Sequence, residues 1–273
     1  VSQTTPWKPR LVALDVDGTM LDPATQTLSE GVRAAVRRAV DAGCHVVVST
    51  GRSMLGTLPV LDELGLSAGA VLCSNGAVRL DAATRETVSV ETFDPAPVYT
   101  RLSSLLPGAQ FAAEQLGTGS LVTSWFPETH LHGPQQPVDV AELTERPVPR
   151  LIAHWAGHTP EEVAEVLDGV SLPGSVYTID QYATWVTVVP DGVTKGAALE
   201  KLRAELGIAI EDTFAAGDGD NDIQMLQWAG HSVAMGQAQP EVRTAATEVA
   251  ADVAADGLVT VLDRWFSGGT PSG

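Results

Sequence analysis

The sequence predicts an α/β protein: a doubly wound, Rossmann-like parallel sheet interrupted by an inserted, smaller α/β domain. Three observations predict it. Residues 11–50 read strand, helix, strand, the order of a βαβ unit. The texture changes near residue 80 and returns to the first pattern at residue 191. Polar side chains gather where parallel strands would end, at Asp15/Asp17, Ser49/Thr50 and Asp218/Asn221/Asp222.

The elements follow in order. "LVAL" (11–14) is a short apolar run, the pattern of a strand buried on both faces. Thr27 and Glu30 have capping-box spacing, and Leu28, Val32, Ala35/Val36 and Ala39 share one helical face, with Gly43 as the stop. "HVVVST" is a β-branched strand. Residues 52–64 read helical up to Gly65, with Pro59 expected to kink or divide the helix. "AVLCSNGA" is a third strand turning at Asn75-Gly76. "AVRLDAATRETVSVETF" reads as a hairpin and "PAPVYTRLSSLL" as a short helix. Residues 116–149, rich in Gly, Pro, His and Thr, show no clear period. "RLIAHWAG" reads as strand, "TPEEVAEVLDGV" as a helix capped by Thr159, and "SVYTID" and "TWVTVVP" as strands. Thr194 then caps a helix ending at Gly207, "DTFAAGDGDNDIQML" reads strand, acidic loop, helix, "SVAMG" is another strand, and 257–266 is a closing amphipathic helix. The expected division is a core of 1–80 and 191–273 with an insertion of 81–190.

Composition bounds the partners. Of 273 residues, 44% are hydrophobic and 18% charged, which is ample for a core. A net charge of -18 repels phosphate backbones and anionic bilayers, so neither nucleic acid nor a membrane surface is an expected partner. A small anionic substrate is not excluded, because local groups in a cleft can override the global field. Cys44 and Cys73 form no CxxC pair and read as buried thiols of a reducing cytoplasm. No apolar run approaches ~18 residues. "VSQTTPWKPR" lacks the apolar stretch of a signal peptide, and it and "SGGTPSG" are expected to be loose. Nothing in the pattern specifies an oligomeric state.

Carboxylates at the end of a core strand need compensation. In an open parallel sheet, ligands bind beyond the carboxyl ends of the strands. Asp15, Asp17, Asp218 and Asp222 would meet there with Lys195, from the start of a helix. Four carboxylates repel strongly in a low dielectric, and a divalent cation with oxygen ligands, Mg²⁺ for choice, compensates. Taken singly, D-x-D reads as well as a capping turn, and "GDGDND" as a solvated acidic loop. A calcium loop from Asp218 fails, with Ile223 at position six and Ala229 at position twelve; one from Asp15 fails with Met20 and Gln26 there. The P-loop, G-x-S-x-G, G-x-G-x-x-G and H-E-x-x-H patterns are all missing from the sequence.

"DVDGT" (15–19), "STGR" (49–52), "TKG" (194–196) and "GDGDND" (217–222) together resemble the four ordered motifs of haloacid dehalogenase-like phosphatases. The "SNGA" turn, the position of the insertion and "SVAMG" look like the Cof-type subgroup, which carries a large α/β cap. The resemblance covers essentially the whole core; the cap matches mainly in position and size. It implies a Mg²⁺-dependent phosphomonoester hydrolase. Asp15 would be the nucleophile and Asp17 the general acid and base. Asp15, the backbone carbonyl of Asp17 and Asp218 would hold the metal, with Asp222 as a further ligand or a group behind the ligands. Thr50, the Gly51 amide and Lys195 would bind the phosphoryl oxygens, and Asn221 would orient phosphate or a metal ligand. Arg52 reads either as a cleft residue or as a helix-start charge, and Asn75 either as a hinge-side group or as a turn former. One departure stands out: the subgroup often has Asn after "MG", and this chain has Gln237. The cap would choose the substrate, a small phosphorylated metabolite such as a sugar phosphate or pyridoxal phosphate. Glu114, Trp125, His130, His132 and Tyr182 are candidates to contact it, though each also reads as an ordinary surface or core residue. The alternatives are a phosphotransferase or phosphomutase on the same core, and a non-catalytic metal- or phosphate-binding module. The last would be expected to have lost Asp15, Asp17 or Lys195, and all three are present.

Overall fold

Every residue of Leu11–Leu14 is fully buried, and the elements around that strand explain why. The computed structural model describes residues 7–127, 131–180 and 183–267. The chain runs β1 (Leu11–Leu14), a small hairpin β2 (Leu21–Asp22) and β3 (Thr27–Leu28), then α1 (Glu30–Asp41), β4 (His45–Ser49), α2 (Met54–Leu64), β5 (Ala70–Cys73), β6 (Val78–Asp81) and β7 (Thr87–Val90). There follow α3 (Pro95–Leu105), β8 (Gln110–Gln115), β9 (Gly119–Val122), β10 (Gln135–Pro137), α4 (Val140–Leu143), β11 (Leu151–His154), α5 (Pro160–Leu167), β12 (Ser175–Ile179) and β13 (Trp185–Pro190). The chain closes with α6 (Lys195–Leu206), β14 (Thr213–Gly217), α7 (Ile223–Trp228), β15 (His231–Ala234), α8 (Pro240–Ala245), β16 (Glu248–Val249) and α9 (Gly257–Phe266).

The first sheet has the order β16-β15-β14-β1-β4-β5-β6-β7, with parallel pairing except at the last two pairings, where β6 runs against β5 and β7. Its two faces carry separate cores. Val12, Leu14, Val46 and Val48 pack with α1, α2 and α9, whereas Leu11, Ala13 and Val47 pack with α6, α7 and α8. That is the doubly wound arrangement. β1 lies at the reversal point: Leu14 pairs with Val48 on one side and Ala216 on the other. The next residues, Asp15, Ser49 and Gly217, therefore emerge at one edge.

The second sheet, β10-β9-β8-β11-β13-β12, is mostly antiparallel. Alternation sorts its side chains. Leu151, Ala153, Val186 and Val188 face the core under α3 and α5, while Ile152 and Trp185 face the other way. Residues 116–149, without a clear period, supply its edge strand β10, the neighbouring β9 and the single turn α4.

Several expectations need correction. The hairpin β6–β7 extends the first sheet, so the division set at residue 80 falls inside β6. Its partial alternation was the signal of a half-covered sheet edge, and β7 is exposed throughout. Helix α1 is capped by Ser29, whose Oγ accepts from the Val32 amide; Thr27 is occupied in β3 pairing with Asp22. Pro59 does not divide α2, which runs unbroken from its Ser53 cap to the left-handed Gly65. The lead sequence is not wholly loose: Trp7 packs on His231 and edge-on against Trp265. Among the described residues no helix is long and apolar enough to cross a membrane.

Candidate active site

The residue after each switch-point strand opens a tight loop. After β1, the amides of Thr19, Met20 and Leu21 all return to the Val16 carbonyl, so 16–21 is one coiled turn. Gly18 sits in it at φ +85°, and a Cβ there would stand 2.1 Å from an Asp218 carboxylate oxygen. Only glycine allows the two acidic loops to come this close.

Lys195 organises the floor. It is the first residue of α6, capped by Thr194, and is entirely buried. Its Nζ donates to Asp15 Oδ1 and Asp222 Oδ1, each at 2.6 Å. Close packing of α6 on α7 brings it there: a Cβ on Gly196 would lie 2.6 Å from the Gln224 carbonyl. Asp222 Oδ2 accepts the Asp218 and Gly219 amides at 3.0 Å, so it braces its own loop. Thr19 Oγ1 donates to Asp218 at 3.3 Å. Gln237 answers the question its substitution raised. Its amide nitrogen donates to the Gly18 carbonyl at 2.6 Å and its oxygen accepts from the Val253 amide at 3.0 Å. The longer side chain ties the Gly18 loop to the segment after β16.

Asp15, Asp218 and Asp222 each offer an oxygen within 4.8 Å of the others. One ammonium does not balance three buried carboxylates. Burial first, then Asp222 and Asp17, pushes the Asp15 carboxyl up to about 7 against the pull of Lys195. Burial, then Asp15 and Asp222, pushes Asp218 up to about 8, with Lys195 and the Thr19 hydroxyl opposing. Burial disfavours the Lys195 ammonium, but Asp15 and Asp222 outweigh it and raise its pKa above the ordinary value. This residual negative charge, on hard oxygen donors, suits a divalent cation, which would reverse both carboxyl shifts. Asp15 and Asp218 are the carboxylates best placed as ligands, since both oxygens of Asp222 already accept hydrogen bonds.

The remaining predicted residues surround this floor. Thr50 is fully buried, and its Oγ1 accepts the Arg52 amide at 3.1 Å. Arg52 turns its guanidinium onto Asp17 as a fork, with contacts of 2.7 and 2.5 Å. Asn75 lies in a turn at φ 57° and its Oδ1 accepts from Asn221 Nδ2 at 2.9 Å, which joins the loop after β5 to the loop after β14. A cleft of about 430 Å³ opens above, lined by Asp15, Asp17, Gly51, Arg52, Asn75, Asp218 and Asn221 from below. Arg150, Ile152, Thr178, Ile179, Trp185 and Thr187 of the second sheet line it from above. Among the cap candidates, His132 lines the cleft, Trp125 is exposed and does not line it, and Glu114 is buried on β8, where it accepts from Ser74. His130 and Tyr182 lie outside the described residues. The sequence reading missed Arg150 altogether; a charge before "LIAH" carries no motif until strand register pairs it with Glu114.

Fold and site together define an α/β enzyme whose chemistry sits at the carboxyl edge of a parallel sheet, under a second sheet. Known proteins carry the same pattern. The family model of haloacid dehalogenase-like hydrolases matches residues 12–107 and 158–262. The phosphatase YwpJ of Bacillus subtilis (strain 168) is 30% identical over 88% of this chain and 94% of its own length. The pyridoxal phosphate phosphatase YbhA of Escherichia coli (strain K12) is 28% identical over 91% of this chain and 96% of its own. Among solved structures, the sugar phosphatase BT4131 superposes with a TM-score of 0.79 at 24% identity, covering 93% of this chain and 98% of that one. The chain belongs to the haloacid dehalogenase-like hydrolases, in their Cof-type subgroup.

Proposed function

We propose that this protein is a Mg²⁺-dependent phosphomonoester hydrolase that works through an aspartyl-phosphate on Asp15. The observation that carries this reading is the Lys195 ammonium shared at 2.6 Å between Asp15 and Asp222, with Asp218 alongside and excess negative charge left over. Asp15 and Asp218 would hold Mg²⁺, with the Asp17 backbone carbonyl as the third protein ligand. When bound, the cation supplies charge neutralisation for phosphoryl oxygens and for the carboxylates.

An Asp15 carboxylate oxygen forms a bond to phosphorus as the ester P–O bond breaks, and Asp17 gives its proton to the departing alkoxide. Asp17, now a carboxylate, takes a proton from water, whose oxygen bonds to phosphorus and displaces Asp15. Inorganic phosphate leaves and both aspartates are restored. Arg52 holds Asp17 by both carboxylate oxygens, so Asp17 carries and delivers its proton only once one of those oxygens is released from the fork. Lys195 favours the ionised form of Asp15, and a cation held by Asp15 and Asp218 would complete that effect. The Thr50 hydroxyl, the Gly51 amide and Lys195 bind the transferring oxygens, where charge is held in the transition state. Asn221, held by Asn75, presents its side chain at the rim of the same cleft.

The inserted region serves as the cap, and its first elements belong with the core sheet up to Val90. Its cleft face combines Ile152, Ile179 and Trp185 with Thr178 and Thr187, which suits a small leaving group with an apolar side and hydroxyls. Names among the relatives, a pyridoxal phosphate phosphatase and a 5-amino-6-(5-phospho-D-ribitylamino)uracil phosphatase, support small phosphorylated metabolites, sugar phosphates included.

The test is phosphate release from a panel of small phosphomonoesters, with Mg²⁺ and with chelator, by wild type and Asp15→Asn. Release that needs both Mg²⁺ and Asp15 is the expected outcome. Phosphate appearing on an added sugar acceptor instead of in solution would favour the transferase reading.

A further inference from the structure

Glu114 on β8 and Arg150, just before β11, stand side by side on neighbouring strands of the second sheet. Arg150 Nε lies 3.0 Å from Glu114 Oε2, and both side chains are nearly inaccessible, at 8% and 2%. The contact is ionic without being an aligned hydrogen bond, because Arg150 Nε has no well-directed acceptor among the described residues. Desolvating two charges is expensive, so a pair kept in such a place needs further partners. Every further partner found belongs to the first sheet's loops. Arg150 Nη1 donates to the Gly51 carbonyl at 2.7 Å. Glu114 Oε2 accepts from Ser74 Oγ at 2.6 Å, and Oε1 from the Met54 amide at 3.4 Å, at the positive end of α2.

These contacts lead directly to the phosphate site. The peptide between Gly51 and Arg52 accepts from Arg150 at its carbonyl and donates from its N–H to Thr50 Oγ1 at 3.1 Å. The Thr50 hydroxyl oxygen is thereby occupied as an acceptor, which leaves its hydrogen to point elsewhere, as donation to a phosphoryl oxygen requires. On the other arm, Ser74 and Asn75 both hold positive φ, 50° and 57°, a conformation that L-residues keep only when neighbours enforce it. Glu114 grips Ser74, and Asn75 holds Asn221.

We propose that Glu114 and Arg150, contributed by the inserted sheet, are positioning residues for the phosphate cradle of the core. They set the Gly51–Arg52 peptide and the Ser74–Asn75 turn. The cap would then do more than choose the leaving group: seating it would complete the site for the part of the substrate common to every phosphomonoester. This rests on the phosphatase reading above.

Two conservative variants test it. Arg150→Lys keeps the charge but cannot reach Gly51 and Glu114 together; Glu114→Gln keeps an acceptor for Ser74 and loses the ion pair. Expected for Arg150→Lys is a drop in kcat of about tenfold that is alike for all phosphomonoesters, with the order of substrate preference unchanged. Binding of inorganic phosphate, titrated calorimetrically in the presence of Mg²⁺, should weaken by a similar factor. Glu114→Gln should show the same pattern to a smaller degree. Thermal melting is recorded alongside, since a merely structural role would lower Tm and leave phosphate affinity of the folded fraction unchanged. Unaltered phosphate affinity in both variants, or losses confined to particular leaving groups, would overturn the proposal while leaving the phosphatase reading intact. A wild-type protein that neither releases nor binds phosphate would overturn both.

Discussion

The two sheets handle their polar groups in opposite ways. At the carboxyl edge of the first sheet, Asp15, Thr50, Lys195, Asp218 and Asp222 are all buried and concentrated in four short sequence stretches. On the second sheet the cleft-lining residues are spread over several strands, and among its described residues Glu114 and Arg150 are the buried charged ones. The first arrangement commits the protein to a reaction; the second leaves room to vary what is reacted. Chemistry at one phosphorus atom needs a fixed constellation, whereas recognition of a leaving group needs only shape and a few hydrogen bonds.

The sharpest way to break this comparison is Asp15→Asn. Turnover should fall by about 10³-fold or more while the fold persists, because the nucleophile is lost and its shape is not. Near-normal phosphate release by the purified variant would remove the core's claim to the chemistry. Lys195→Ala comes next. It leaves Asp15 and Asp222 facing each other without a counter-charge, with an expected loss of about 3–5 kcal/mol in denaturant unfolding and about 100-fold or more in kcat. Unchanged stability would mean that the carboxylates find another cation.

The pH response separates the acidic core from the cap. Asp15 and Asp218 have folded pKa values raised to about 7 and about 8 from 3.8. Metal-free protein therefore holds protons there that the unfolded chain has released. Stability from these groups is complete below the unfolded value and is lost as pH rises through the folded ones. Tm in chelator should fall between about pH 5 and about pH 8, and Mg²⁺ should restore more of it at the higher pH. A Tm that rises across that range would contradict the shifts.

Smaller effects sharpen the contrast. Thr187→Val, on the cleft face, should change kcat/KM for hydroxylated leaving groups by about tenfold. It should leave inorganic phosphate binding alone, and weakened phosphate binding would blur the division of labour. Gln237→Asn should cost about 1 kcal/mol, since the shorter amide cannot span the Gly18 carbonyl and the Val253 amide together. A variant as stable as wild type would show that the bridge is dispensable.

How much could be read in advance follows from the same contrast. The helix from Lys195 to Gly207 and the strand before "GDGDND" were legible because caps, stops and apolar runs are local signals. Asp15, Lys195, Asp218 and Asp222 were legible as a group because their buried charges have no structural excuse apart from each other. The hairpin at 78–90 was read as the start of the insertion, whereas it pairs with the first sheet, because strand pairing partners are not a local property. Arg150 was invisible and Glu114 misplaced for the same reason: neither has meaning until β8 and β11 are in register and set against Gly51 and Ser74.

By itself, then, the sequence determined the doubly wound core, the order of its strands and helices around the insertion, and the identity of the acidic floor with its lysine. Hydrophobic period, capping and the electrostatic impossibility of isolated buried charges are written residue by residue. Only the tertiary structure decided that Arg52 grips Asp17, that Asp222 braces its own loop, that Gln237 reaches Gly18, and that two charges from the second sheet hold the phosphate loops of the first. All but the local Asp222 turn are hydrogen bonds between segments far apart in the chain, and the folded backbone alone sets their distance and direction.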